Sequence, residues 1–196
     1  MLNIQVMPLG AYQTNCYILW DDAREDCVVI DPGYEPETVL RKAKALGKSI
    51  AAILLTHGHF DHVGAVREIV DETNCLVVIH EKELSLPESF TAGPLYYTDT
   101  YDEGSTIFTC GMAFRILHTP GHTPGSVCIL CENHMFSGDT LFQDSCGRTD
   151  LPGGDWKEIR KSLRRLASLE KDYAVHPGHG PSTTLAEEKQ YNLYMQ

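Results

Sequence analysis

The stretch Thr56-His57-Gly58-His59-Phe60-Asp61-His62 sets His57, His59, Asp61 and His62 close together at the end of the apolar run Ala51-Ala52-Ile53-Leu54-Leu55. Gly58 permits a turn that presents His57 and His59 to one point. Asp61 and His62, opening the next helix, aim at a second point nearby. Imidazole nitrogens and a carboxylate oxygen together suit zinc, iron or manganese rather than calcium or magnesium. Three later segments also put a ligand-capable side chain beside Gly or Pro at a strand end: His118-Thr119-Pro120-Gly121-His122, Ser137-Gly138-Asp139-Thr140 and His176-Pro177-Gly178-His179-Gly180. Seven ligands drawn from these turns serve two metals, and Asp139 can bridge them with one oxygen each. Water held between two cations loses a proton near neutral pH and becomes a nucleophile.

The elements between these turns must bring them to one edge. Extended runs over 12–20 and 27–30 flank the polar 21–26 and predict an early hairpin, which Asp31-Pro32-Gly33 ends. Pro36, the helical spacing of Val39, Leu40, Ala43 and Leu46, and Gly47 at a C-cap predict a helix over 36–46. A buried strand over 50–55, a helix carrying Val63, Val66, Ile69 and Val70, and a strand over 76–79 follow. This alternation predicts an α/β layered fold, in which strand-end turns gather where ligands bind. Residues 85–104 hold Phe90, Tyr96, Tyr97 and Tyr101 without a period, and predict a long loop whose aromatics cover substrate. Strands are expected over 106–109, 112–117, 126–131, 134–137 and 173–175. Asp155 with Glu158, and Thr184 with Glu187, mark the starts of two late helices.

The 196 residues, 42% hydrophobic and 22% charged, carry a net charge of −11. That composition excludes collagen-like, disordered and coiled-coil chains. Without a basic cluster it argues against nucleic acid as a partner. No repeat or linker interrupts the chain, so one domain is expected over 1–196. The first twenty residues lack a basic start and a sustained apolar stretch, so neither a signal peptide nor a membrane span is expected. The seven cysteines follow no disulfide spacing and read as reduced core thiols, which predicts a cytoplasmic protein. Cys128 and Cys131 sit three apart on an expected strand and should face opposite sides. Nothing in the sequence marks an oligomeric state.

From Asp31-Pro32-Gly33 to His176-Pro177-Gly178-His179-Gly180-Pro181-Ser182-Thr183-Thr184 the chain resembles the metallo-β-lactamase superfamily. Within it, the chain is similar to the hydroxyacylglutathione hydrolases (glyoxalase II) in their short bacterial form. The resemblance implies a four-layer αββα sandwich with metals at one edge of two facing sheets. It places His57, His59 and His122 on a first metal and Asp61, His62 and His179 on a second. Asp139 lies between them, and Asp61 and Asp139 are the catalytic carboxylates. The implied cofactors are two divalent transition metals, zinc foremost, with iron or manganese as alternatives. The implied reaction is hydrolysis of a small-molecule thioester of the S-lactoylglutathione type. Persulfide dioxygenases using a single iron, lactonases and β-lactamases are the alternatives within the same superfamily. Longer glyoxalase II enzymes close over glutathione with a C-terminal helical extension, which is not expected in this chain.

The remaining candidates read as follows. Pro120 and Gly121 break the helix that would align His118 with His122, so His118 is expected to be a structural neighbour. His176 competes with His179 and is expected beside the ligands rather than among them, while His80 and His134 read as strand-end surface residues. Asp31 serves either as an acceptor behind a ligand or as a turn former. Arg148 either holds a substrate carboxylate or pairs with Asp150 or Asp144. Tyr97, in the aromatic loop, is the second candidate for substrate contact, and Cys146 reads as packing.

Overall fold

The computed structural model describes residues 1–91 and 93–196. One six-stranded sheet runs in the order β1 (Leu2–Leu9), β2 (Thr14–Asp21), β3 (Asp26–Ile30), β4 (Ser49–Leu54), β5 (Leu76–His80) and β6 (Asp99–Tyr101). Its first three strands pair antiparallel and its last four are parallel. The second sheet is built from β7 (Thr106–Thr109), β8 (Met112–His118), β9 (Val127–Cys131), β10 (His134–Gly138), β13 (Ala174–Pro177) and β14 (Thr183–Thr184). The small hairpin β11 (Leu141–Phe142) and β12 (Ser145–Cys146) stands apart. Helices α1 (Pro36–Ala45), α2 (Phe60–Val63) and α3 (Val66–Thr73) belong to the first half, and α4 (Trp156–Ala167) and α5 (Leu185–Tyr191) to the second.

Strand alternation builds the four layers. Leu19, Val28, Ile30 and Leu54 face Phe114, Ile116, Ile129 and Phe136 across the middle of the sandwich. Alternate residues of the first sheet, among them Ile18, Val29 and Ile53, turn outward onto Val39 of α1 and Val66 and Ile69 of α3. On the other side, Leu117, Cys128 and Leu130 meet Ile159, Leu163 and Leu166 of α4. Truncating a fully buried core ring such as Phe136 to alanine should cost about 3–5 kcal/mol, in lost transfer energy plus cavity. The αββα arrangement is the one expected, and Cys128 and Cys131 do lie in different layers. Asp155 accepts from the backbone N–H groups of Lys157 and Glu158, and Thr184 from that of Glu187, so both expected caps are formed.

Five strands lie outside those expected: β1, β6, the small hairpin strands β11 and β12, and β14. The 85–104 stretch, of which residue 92 lies outside the described residues, is also more ordered than a covering loop. It holds a short 3-10 turn over Glu88–Phe90 and strand β6. Tyr101 is buried between the sheets, its hydroxyl donating to Leu55 O, and Tyr96 lies under the Arg67 guanidinium. Among the described residues no helix is long and apolar enough to cross a membrane.

Candidate metal centre

The centre forms where the C-terminal ends of strands from both sheets meet. Asp31, directly after β3, adopts a left-handed backbone (φ 51°) and accepts from Thr56 N (2.8 Å) and Thr56 Oγ1 (2.5 Å). Thr56 O in turn accepts from Val127 N (2.9 Å), which ties the turn after β4 to the second sheet. Gly138, at the end of β10, passes so near Thr56 that a Cβ there would overlap its side chain. Its positive φ of 49° excludes most other residues as well.

His59 is the extended residue before α2, so the chain reverses and sends Asp61 and His62 back toward His57. His122, in the turn between β8 and β9, is oriented by Arg148 O, 2.8 Å from its Nδ1. His179 follows β13 and is held by the other end of the chain: its Nδ1 lies 3.1 Å from Tyr12 O. Asn15 secures the same turn, through its backbone N on Gly178 O (2.7 Å) and its side-chain amide on Pro177 O and Gly180 O. Thr14 Oγ1 donates to Asp61 Oδ2 at 3.2 Å.

All seven expected ligands converge. His57, His59 and His122 form one group whose ligand atoms lie within 4.8 Å of one another, and Asp61, His62 and His179 form another. Asp139 lies between the two, with Oδ1 3.4 Å from His62 Nε2 and Oδ2 3.5 Å from His122 Nε2 and 3.6 Å from His179 Nε2. Asp31 is also close to His57 and His62, but its oxygens are already occupied by Thr56 and by His62 Nδ1 at 2.9 Å.

Burial and mutual proximity set the protonation of this cluster. Burial and the surrounding imidazoles hold His57 well below the usual histidine range, and burial with His122 and His62 brings His59 down to about 4. For His62 burial opposes the charge, but Asp139 and Asp31 outweigh it and push the group up. For Asp139 burial opposes the charge as well, and His62 foremost, with His122 and His179, holds it well below the carboxylate range. Divalent transition metals bind neutral imidazoles and ionised carboxylates, so His57, His59 and Asp139 already have the ligand form, whereas metal binding at His62 must displace a proton. The buried Nε2 atoms of His57 and His62 and Asp139 Oδ1 lack any hydrogen-bond partner. Buried polar atoms are otherwise almost always satisfied, so these residues fit a pair of divalent metals.

Glu83, not singled out by the sequence, lies behind the ligands. It is fully buried, and its two oxygens accept from Gly58 N and Gly125 N, each at 2.6 Å. One carboxylate therefore joins the turn between His57 and His59 to the segment just after His122. Its only sequence signal is its place after β5, inside the polar run Glu81-Lys82-Glu83.

A cavity of about 590 Å³ opens over the centre. Arg148 borders it, but its Nε and Nη2 each donate to Asp150 at 2.7 Å, so the pairing alternative is the one formed. The structure does not bring Tyr97 there: it lines a separate cleft with Leu84, Leu86 and Leu95. Phe90 is the loop aromatic that borders the cavity among the described residues. Cys146 also borders it, with burial pushing its thiol up to about 11.

His118 stands away from the ligands, its Nε2 bonded to Pro124 O, as expected of a structural neighbour. His80 is fully buried rather than at the surface, because its ring stacks on His118 and its Nδ1 accepts from Lys82 N. His134 and His176 form a half-buried stacked pair, 2.9 Å from Nδ1 to Nε2. His176 is thus directed toward Phe136 and Ser182 instead of supporting a ligand.

Residues 9–179 match the family model of the metallo-beta-lactamase superfamily, and the chain belongs to that superfamily. It is 36% identical to a Haemophilus influenzae protein named hydroxyacylglutathione hydrolase GloC, over 99% of this chain and 98% of that one. Among solved structures it is similar to the BLEG-1 B3 metallo-beta-lactamase, with TM-score 0.89 and 36% identity over 99% of this chain and 100% of the other. It is also similar to TTHA1623 in a di-iron-bound form, with TM-score 0.87 and 40% identity over 97% and 99%. A metal-dependent hydrolase is the class that fold, relatives and ligand clusters together define.

Proposed function

We propose that this protein hydrolyses thioesters of the S-lactoylglutathione type with two divalent metals, held by His57, His59 and His122 and by Asp61, His62 and His179. The observation that carries this reading is the position of Asp139, whose carboxylate reaches ligands of both clusters. When bound, such a metal pair supplies Lewis acidity, making water nucleophilic near neutral pH and polarising a carbonyl. The name of the Haemophilus influenzae relative supports the substrate class, and the di-iron form of TTHA1623 supports two metals.

The residues around the cavity favour a particular leaving group. Beyond the metal-ligand set, no histidine or carboxylate borders it among the described residues, and burial raises the Cys146 thiol to about 11, away from the near-neutral pKa that suits a general acid. A thiolate departs unprotonated because its conjugate acid has a pKa of about 8.5, whereas an amide nitrogen must be protonated first. Thioesters should therefore outrun activated oxygen esters, and these should outrun amides.

The test combines elemental analysis of metal-loaded protein with a panel of those three bond types. About two metals per chain, turnover in that order and abolition by Asp139→Ala are expected. One iron per chain with oxygen uptake on glutathione persulfide would assign the site to a dioxygenase. A rate on a β-lactam equal to that on S-lactoylglutathione would overturn the leaving-group argument.

A further inference from the structure

Two of the three residues of the second cluster are held by one short segment, the end of the turn between β1 and β2. Thr14 lies opposite His179 in an isolated antiparallel bridge, and Asn15 N fastens that pairing to Gly178 O at 2.7 Å. The pairing sets the buried Thr14 side chain with its Oγ1 3.2 Å from Asp61 Oδ2. The same carboxylate oxygen lies 3.2 Å from His179 Nε2 and 3.8 Å from His62 Nε2. The first cluster takes its supports elsewhere. His57 Nδ1 meets Thr56 Oγ1 at 3.1 Å, and His122 Nδ1 meets Arg148 O at 2.8 Å. Among the described residues, none of the first-cluster histidines is hydrogen-bonded to residues 12–15.

We propose, resting on the two-metal reading above, that Thr14 is a positioning residue for the second metal alone: its hydroxyl holds the Asp61 carboxylate toward His62 and His179 and so sets how tightly that cluster takes a divalent cation. A carboxylate oxygen has two lone pairs to offer. The Thr14 hydroxyl takes one and leaves the other for the space that His62 Nε2 and His179 Nε2 also face. Without that donor, the partly exposed Asp61 side chain can turn to water, and metal binding must then pay to bring it back. The effect stays within one cluster because Asp61 meets nitrogens of His62 and His179 only, and Thr14 does not touch the shared Asp139. Groups that orient a ligand from behind contribute about 10–100-fold to metal affinity, and one neutral hydroxyl at the long end of hydrogen-bond range belongs at the lower figure.

The test is a stepwise zinc titration of the metal-free protein against a competing chromophoric chelator, which yields one dissociation constant for each metal without any turnover. His179→Ala, which removes a second-cluster ligand outright, identifies the constant that belongs to that cluster. Thr14→Val keeps the shape of the side chain and removes the hydroxyl. It should raise that constant about tenfold and leave the other, and the melting temperature of the metal-free protein, unchanged. Thr14→Ser returns the hydroxyl and should restore the parent value, and Thr14→Ala should repeat the result of Thr14→Val. Equal weakening of both constants, a Thr14→Val variant that binds both metals as the parent does, or no rescue by Thr14→Ser would overturn the proposal while leaving the two-metal reading intact. A parent protein that binds a single zinc per chain would overturn both.

Discussion

His62 Nδ1 lies 2.9 Å from Asp31 Oδ2, with both side chains buried. The contact fixes the proton on Nδ1 and leaves Nε2 free to face Asp139. Partners that orient a ligand imidazole in this way typically contribute about 10–100-fold to metal affinity. Asp31→Asn keeps a residue type that tolerates the left-handed backbone at this position but removes the charge. Chelator competition should show metal bound about 10–100-fold more weakly, with the melting temperature of the metal-free protein little changed. Unaltered affinity would reduce Asp31 to a turn former.

Gly178 and Gly180 flank His179 and should respond differently to alanine. A Cβ on Gly178 would overlap Asp139 Oδ1 and His62 Cε1, whereas one on Gly180 meets nothing within 4 Å. Gly178→Ala should therefore displace the Asp139 carboxylate and weaken metal binding. Gly180→Ala, at φ +78°, should cost about 1 kcal/mol of backbone strain and keep its metal. Equal metal content in the two variants, measured by elemental analysis, would contradict the placement of Asp139.

His118 and His122 provide a second matched pair. His122→Ala removes a nitrogen from the first cluster and should release metal, while His118→Ala removes only a ring stacked on His80 and a bond to Pro124 O. The expected record is metal loss in the first variant, and in the second a drop in melting temperature with metal retained.

Glu83→Gln tests the carboxylate behind the ligands. A glutamine oxygen can satisfy Gly58 N or Gly125 N, but its NH2 group cannot accept from the other. One buried N–H is then left unpaired, at about 1–3 kcal/mol. Burial pushes the Glu83 carboxyl up to about 7, although the Thr123 hydroxyl and both amides pull it down. A carboxyl raised on folding contributes most to stability below its unfolded pKa of about 4.3 and loses that contribution as pH rises through the folded value. Denaturant titrations of metal-free protein should thus show the gap between parent and Glu83→Gln shrinking from pH 5 to pH 8. A constant gap would mean that Glu83 does not change its ionisation on folding.

Much of this was legible because the signals were local. The turn after β4 carries four ligands in one short motif, and α1, α4 and α5 announce themselves by caps and helical spacing. What escaped was set by distant partners. Strand β6 is three residues long and exists through parallel pairing with β5, and β14 is a two-residue partner of β13. Edge strand β1 is only partly buried, with Pro8 near its end. Asn15 and Glu83 are ordinary polar residues in sequence. Their importance lies in contacts with Pro177, Gly180, Gly58 and Gly125, which no periodicity encodes. The aromatics of 85–104 misled for the same reason: Tyr101 serves the core and Tyr97 a different cleft.

The order of the ligands along the chain also has a consequence in time. The first cluster is complete once His122 has been made, but the second waits for His179, whose supports come from Tyr12 and Asn15 near the opposite end. A nascent chain therefore presents all three histidines of the first cluster before it presents the last ligand of the second. Metal bound to ribosome-arrested chains, plotted against arrest length, should take its second step only after His179 has emerged. A single step at His122 would show that the second cluster does not depend on that closing turn.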